Sequence, residues 1–270
     1  MKRNFLQLSI LLLLLQFAII KPIYADDHSV HHSSEHKHWG YTGDVSPAHW
    51  HELDPAFAIA KDGKSQSPID ITTKNLAVSS SLKKPVFHYS SDLFGIENNG
   101  HTIQIDPLHK NGYVSLNYIT LDGADFFVQQ AHLHSPSEHL IDGKMYEIEL
   151  HIVHKNARGD VAVVGIMIEE GAENKTLADA FANLPKHNTE GKILDLPSLI
   201  NFGELLANNA TVYRYDGSLT TPPCSEGVLW NVFAKPITMS KSQIDAFKAI
   251  YFGNNRPCQP LNNRPISKTE

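Results

Sequence analysis

Cysteine is scarce in this chain: Cys224 and Cys258 are the only two, so at most one internal disulfide can brace the fold. No block of Lys and Arg occurs, and the 23 basic residues are outnumbered by 29 acidic ones, which argues against the basic patch of a nucleic-acid-binding protein. From Trp39 onward there is no linker, low-complexity break or internal repeat. What remains is a composition able to bury a large core, 41% hydrophobic and 9% aromatic.

The first 25 residues read as a signal peptide. Lys2 and Arg3 precede an apolar run from Leu6 to Ile20, and Ile23-Tyr24-Ala25 supplies a small-residue cleavage site ahead of Asp26. The alternative, an uncleaved anchor, is disfavoured because the run is shorter than the ~20 apolar residues of a spanning helix. No Cys stands at the cleavage point, which argues against a lipoprotein. Cleavage removes Lys2, Arg3 and Lys21 but no acid, leaving 20 basic against 29 acidic residues and a net charge of −9. Residues 26–38 carry His28, His31, His32, His36 and His38. They read as a flexible tail, either simply solvated and pH-responsive or a weak metal trap.

Short stretches rich in Val, Ile, Tyr and Phe alternate with Gly, Asn, Asp and Pro turns: Thr102–Ile105, Val114–Leu121, Phe126–His134, Glu147–His154, Val161–Ile168 and Val228–Ala234. The pattern predicts one mainly antiparallel β domain. Helices are expected at Leu177–Leu184 and Lys241–Phe252, the second capped by Ser240.

The chemistry concentrates in Gln130-Ala131-His132-Leu133-His134 and Glu149-Leu150-His151. Side chains alternate along a strand, so Gln130, His132 and His134 share one face, with residues two apart separated by ~6.5–7 Å. Two imidazoles can then converge on one ion, and His151, in the series Glu149, His151, Val153, supplies a third from a neighbouring strand. Three neutral imidazoles leave one position of Zn²⁺ open, the layout of a catalytic site. Taken alone, an HxH pair is a weak signal. His139 and His154 lie off the same-face series and read as buried structural hydrogen-bonders.

With these residues in view the chain resembles the alpha carbonic anhydrases. The resemblance is carried by His132 through Ser137-Glu138-His139 to Glu149-Leu150-His151, by Gln66-Ser67-Pro68-Ile69-Asp70, and by Gly217-Ser218-Leu219-Thr220-Thr221-Pro222-Pro223. Arg256-Pro257-Cys258-Gln259-Pro260-Leu261, Trp39-Gly40-Tyr41 and His49-Trp50 fit as well, so it spans roughly residues 39–267. That family is itself the type case of the three-histidine zinc site and of zinc-bound water with a pKa near 7.

The resemblance implies a central twisted, mostly antiparallel sheet of about ten strands with a few short helices, and reversible zinc-dependent hydration of CO₂ to bicarbonate and a proton. It implies Gln130 orienting His132, Glu149 accepting from His151, and the backbone carbonyl of Asn254 accepting from His134. Glu149 as a fourth ligand is the alternative. Thr220 would donate to Glu138 and orient the nucleophile, Thr221 would bind substrate or solvent, and Val153, Val163, Leu219, Val228 and Trp230 would form the apolar wall for CO₂. His101 stands where fast members place a proton shuttle. Handing a proton from a group of pKa near 7 straight to water is uphill by about 12 kcal/mol and caps turnover near ~10⁴ s⁻¹, so a relay with a pKa near 7 is needed. Tyr41, Asn99 and Gln104 would order the relay waters. Sulfonamides and anions are the expected inhibitors, with no nucleic acid and no membrane anchor, in a monomer or homodimer secreted to a bacterial periplasm.

One departure stands out. Secreted relatives pair the Cys after the tandem Pro with one shortly before the Gln-Ser-Pro motif, but here that second position is Ala60. Three states are compatible with Cys224 and Cys258: both free, Cys224 bridging two subunits, or the two paired. Functionally, the alternatives are a non-catalytic relative that binds without hydrating and a zinc esterase activity alongside the hydratase. The sequons at Asn174 and Asn209 matter only in a eukaryotic secretory route.

Overall fold

The computed structural model describes residues 38–269 except 75, 77, 79–82, 109–115 and 207–210. The expected leader, the histidine-rich stretch up to residue 37, the start of the strand expected at Val114 and the sequon at Asn209 lie outside the described residues.

The strands in chain order are β1 (Asp70–Ile71), β2 (Val86–His88), β3 (Phe94–Asn98), β4 (Ile103–Pro107), β5 (Tyr118–Leu121), β6 (Ala124–His134) and β7 (Leu140–Ile141). They continue with β8 (Ile148–Lys155), β9 (Val161–Glu170), β10 (Leu194–Asp195), β11 (Val212–Ser218), β12 (Glu226–Phe233), β13 (Ile237–Met239) and β14 (Ser267–Lys268). The helices are short: α1 (Trp50–Leu53), α2 (Ile59–Asp62), α3 (Ala178–Ala182), α4 (Gly203–Leu206) and α5 (Lys241–Lys248). Twelve strands form one sheet in the order β10-β3-β4-β6-β8-β9-β12-β11-β14, with β13 on β9, β5 on β6 and β2 on β5. Most pairs are antiparallel, as the sequence predicts, but β12 and β13 both run parallel to β9.

Strand alternation sorts the two faces of this sheet. Ala131 and Leu133 of β6, Leu150 and Ile152 of β8, and Val164 and Ile166 of β9 turn one way into the main core. Phe181 of α3 and Ile244 and Phe247 of α5 belong to the same core. Each large side chain so buried contributes about 1.5–3 kcal/mol. The intervening residues of the same strands turn to the other face and build the site. There, a second apolar cluster gathers Val163, Met167, Tyr215, Val228 and Trp230.

Helix α5 begins as expected. Ser240 Oγ accepts from Gln243 N at 3.3 Å and Gln243 Oε1 accepts from Ser240 N at 3.1 Å, a reciprocal capping box. It ends at Lys248 rather than Phe252 because the chain then turns toward the site, where Asn254 and Arg256 are tied by hydrogen bonds. Helix α3 is likewise trimmed, closed by Asn183 Nδ2 donating to Asp179 O at 2.8 Å. Among the described residues no helix is long and apolar enough to cross a membrane. The sequon residue Asn174 is occupied by the fold itself: Oδ1 accepts from Leu177 N at 3.1 Å and Nδ2 donates to Thr238 O at 3.4 Å.

Both cysteines are free thiols. Cys224 is fully buried, with 0% exposure, which leaves no surface for a bridge to a second subunit. The segments that a disulfide at position 60 would staple are held by Arg256 instead. Its Nη2 donates to Ala60 O at 2.8 Å, and its Nη1 to Gln66 Oε1 at 2.8 Å and Ser67 O at 2.7 Å. Gln66 Nε2 completes the clamp by donating to Cys224 O at 3.1 Å.

Candidate functional site

Register brings the three histidines together. His132 of β6 lies opposite His151 of β8, and His134 lies opposite Glu149. On the other side of β6, Gln104 of β4 is the partner of His132. A second row on the same face runs Gln130, Val153, Val163, Trp230 across β6, β8, β9 and β12. Thus an HxH pair on one strand and a single His on the next are placed side by side by pairing alone.

Each imidazole has one nitrogen committed. His132 Nδ1 donates to Gln130 Oε1 at 2.8 Å, His134 Nδ1 to the backbone carbonyl of Asn254 at 2.7 Å, and His151 Nε2 to Glu149 Oε1 at 2.9 Å. The nitrogens left over are Nε2, Nε2 and Nδ1. The three rings present donor atoms within 4.8 Å of one another, and His134 Nε2 is buried with no hydrogen-bond partner. Burial, reinforced by the neighbouring rings, holds His132 well below its ordinary pKa; burial pushes His134 down to about 4 and lowers His151 as well. The rings are therefore neutral near pH 7, the form that binds a metal ion.

Glu149 is the hub behind this triad. Oε1 accepts from His151 and from His139 Nδ1 at 2.8 Å, while Oε2 accepts from the backbone N–H of Glu138 at 2.9 Å and of His139 at 2.8 Å. Burial pushes its pKa up, but attraction to His139 and His151, together with their hydrogen bonds, outweighs that and holds the carboxyl well below the usual range. With four N–H groups on its two oxygens, Glu149 has no lone pair directed at an ion among the three rings, and the fourth-ligand alternative is set aside. His139, Glu149 and His151 also form a compact triple of potential ligands, but its facing atoms are spent on one another. The chain extends outward through His139 Nε2 to Tyr215 Oη at 2.6 Å and on to Ser67 Oγ at 2.8 Å. Gly165, opposite His151 in β9, leaves room for this hub: a Cβ there would sit 3.0 Å from Glu149 Oε1.

Glu138 lies beside the triad. Oε1 accepts from Arg256 N at 2.8 Å, and Oε2, buried and without a hydrogen-bond partner, is 3.5 Å from His134 Nε2 and 4.0 Å from His151 Nδ1. Burial pushes Glu138 up to about 7 against the opposing pull of His151, the Arg256 N–H and the Thr220 hydroxyl. Thr220 is itself buried.

A cavity of about 110 Å³ reaches two of the three rings, His132 and His134, and is also lined by Gln130, Tyr41, Asn99, His101, Gln104 and Thr221. Val163, Val228 and Trp230 are buried in the apolar cluster next to it, with Val153 and Leu219 partly exposed and packed on the same cluster. Trp230 contacts His151, ring centroids 4.8 Å apart. His101 is half-buried at the cavity wall, and Asn254 Nδ2 donates to its backbone carbonyl at 3.1 Å. Asn254 therefore touches both the His101 turn and, through its own carbonyl, His134.

Three contributors were not signalled by spacing. Arg256 supplies the N–H that holds Glu138 and the clamp to Gln66 and Ser67, and Tyr215 with Ser67 ends the chain behind Glu149. Only the packed fold joins these positions, although Ser67 and Arg256 fall within motifs noted above.

Comparison with known proteins agrees with this geometry. The family model of eukaryotic-type carbonic anhydrases matches residues 45–270. A carbonic anhydrase of Pectobacterium atrosepticum is 42% identical over 87% of this chain and 92% of its own length. One of Klebsiella pneumoniae is 41% identical over 85% and 90%. Among solved structures, the alpha-carbonic anhydrase of Thermovibrio ammonificans in complex with the inhibitor sulfanilamide superposes with a TM-score of 0.79 at 41% identity, covering 86% of this chain and 99% of that one. With its sheet, its histidine triad and these relatives taken together, the chain belongs to the alpha, eukaryotic-type carbonic anhydrase family.

Proposed function

We propose that this protein hydrates CO₂ reversibly to bicarbonate and a proton at a zinc ion held by His132, His134 and His151. The observation that carries the reading is the set of three neutral imidazoles, each with its rear nitrogen hydrogen-bonded and its front nitrogen turned to a common point. Such a donor set fits Zn²⁺, and the unpartnered, buried Nε2 of His134 is the atom that such an ion would satisfy. Bound there, the metal supplies a Lewis acid that makes water a usable nucleophile at neutral pH.

The chain's own residues do the rest. Gln130, Asn254 and Glu149 fix the tautomers and directions of the three rings. Glu138, anchored by Arg256 N, accepts from Thr220, and the Thr220 oxygen is then left as an acceptor that orients the attacking group's proton away from the substrate. CO₂ carries no charge and is held by the apolar wall of Val153, Val163, Leu219, Val228 and Trp230, with Thr221 available to solvent or product. His101 takes the released proton outward by way of waters ordered by Tyr41, Asn99 and Gln104.

Sulfonamides, one of which occupies the Thermovibrio relative, and small anions are expected to inhibit by entering the same cavity. The leader at residues 1–25 supports export, with a bacterial periplasm as the destination and residues 39–267 as the catalytic domain. Stripping the metal with a chelator such as dipicolinate tests the reading. Hydration should vanish and return with one equivalent of zinc; hydration that survives complete stripping contradicts it.

A further inference from the structure

Gln104, which lines the cavity, is held by two carboxyl groups that the hydration chemistry does not use. Glu97 of β3 and Asp106 of β4 both accept from one amide, Gln104 Nε2, at 3.0 and 2.8 Å. An ionised carboxylate can only accept, so these two contacts fix which end of Gln104 carries the NH₂. The opposite end, Gln104 Oε1, must then accept, and it does so from Asn99 Nδ2 at 3.3 Å. Asn99 is thereby left with Oδ1 to offer, and that oxygen accepts from the backbone N–H groups of His101 and Thr102, each at 3.0 Å. The direction of every hydrogen bond in the chain is consistent from the carboxyl pair to the turn that bears His101.

We infer that Glu97 and Asp106 are positioning residues for proton transfer: they lock the orientation of Gln104 and, through Asn99, hold the turn that presents His101 to the cavity. The inference rests on the assignment of His101 as the shuttle, but the hydrogen bonds it uses do not. Asp106 Oδ2 is buried without a partner. Burial pushes the Asp106 carboxyl up to about 6, with a hydrogen bond from Gln104 opposing and the nearby Glu97 charge adding to the rise. A proton taken up would sit on the unpartnered oxygen and leave Oδ1 accepting from Gln104, so the link needs an acceptor at this position rather than a charge.

The test compares Glu97→Ala/Asp106→Ala with Glu97→Gln/Asp106→Asn, which keeps an acceptor oxygen at each place. Amide hydrogen exchange in the metal-free protein reads the turn directly. In the double-alanine variant exchange at His101 and Thr102 should quicken about tenfold, and in the amide variant it should stay near wild type. In the zinc-loaded enzyme the double-alanine variant should lose turnover several-fold in weak buffer, keep kcat/KM, and recover with added imidazole. If the double-alanine protein does not fold, Asp106→Ala alone against Asp106→Asn carries the same comparison with a smaller effect. Unchanged exchange at His101 and Thr102 in a folded alanine variant overturns the inference, as does an equal loss of kcat/KM. If His101→Ala is without effect while exchange responds as expected, the shuttle assignment fails and the structural link stands.

Discussion

The indole of Trp39 lies flat against the imidazole of His101, ring centroids 3.7 Å apart and planes within 8° of parallel. His38 approaches the same ring at 5.8 Å. Burial, with a smaller contribution from His38, lowers the His101 pKa from its ordinary value, so the ring is neutral and ready to take a proton at neutral pH. His101→Ala should reduce hydration turnover in weak buffer about tenfold or more while leaving kcat/KM in place, and added imidazole should restore it. Stopped-flow assays across buffer concentration check this; a buffer-independent turnover equal to wild type contradicts the shuttle role.

Glu149 concentrates the structural demand of the site. Replacing it with Gln puts an NH₂ where two N–H donors now point and leaves two buried donors unpaired, at a cost of about 2–6 kcal/mol. Zinc affinity should fall about 10–100-fold, because His151 loses the partner that fixes its tautomer. Gly165→Ala should act in the same direction but more weakly, by pressing a methyl against the carboxylate. Competition titrations against a chromogenic chelator, paired with denaturant unfolding, measure both effects. Wild-type zinc affinity in Glu149→Gln contradicts the hub role.

Acid should destabilise the metal-free protein from about pH 6.5 downward. Burial holds His101, His132, His134, His151 and His154 below the ordinary value of 6.5, His134 to about 4 and His154 to about 3. In that range the unfolded chain binds protons at these positions and the folded chain does not, so stability is lost as pH falls. Glu138, raised by burial to about 7, and Asp106, raised to about 6, work in the opposite sense. Five imidazoles against two carboxyls leave a net loss between pH 6.5 and 4.5. Urea midpoints should therefore decline over that window; midpoints that hold level or rise contradict the balance.

The thiols should be silent in the native state. Burial pushes Cys224 up to about 11 and Cys258 up to about 12, and thiolate is the reactive form. Titration with a disulfide reagent should give no rapid reaction at pH 7.5 when folded and two thiols per chain in denaturant. A single thiol, or none, in denaturant would reveal a bond between cysteines that the fold does not contain.

How much of this was legible in the chain depends on whether a contact is local. The alternation of Gln130, His132 and His134 along one strand, and of Glu149 and His151 along the next, is a local property, and pairing converted it directly into the triad. The capping box at Ser240 was equally local. By contrast, Glu97 and Asp106 meet only because β3 and β4 pair and Gln104 lies between them. Arg256 reaches Ala60, Gln66 and Ser67 across nearly two hundred residues of chain, so nothing in the spacing of these residues announces the clamp that stands in for a disulfide. The parallel pairing of β9 with β12 was hidden for the same reason, since strand patterns carry no direction.

If the three imidazoles hold the zinc at which hydration occurs, metal and activity must be lost together, which measuring zinc content and CO₂ hydration for wild type and His134→Ala decides. One zinc per chain and rapid hydration are predicted for wild type, with both lost in the variant. Zinc-loaded wild type that hydrates CO₂ no faster than buffer alone would contradict the account.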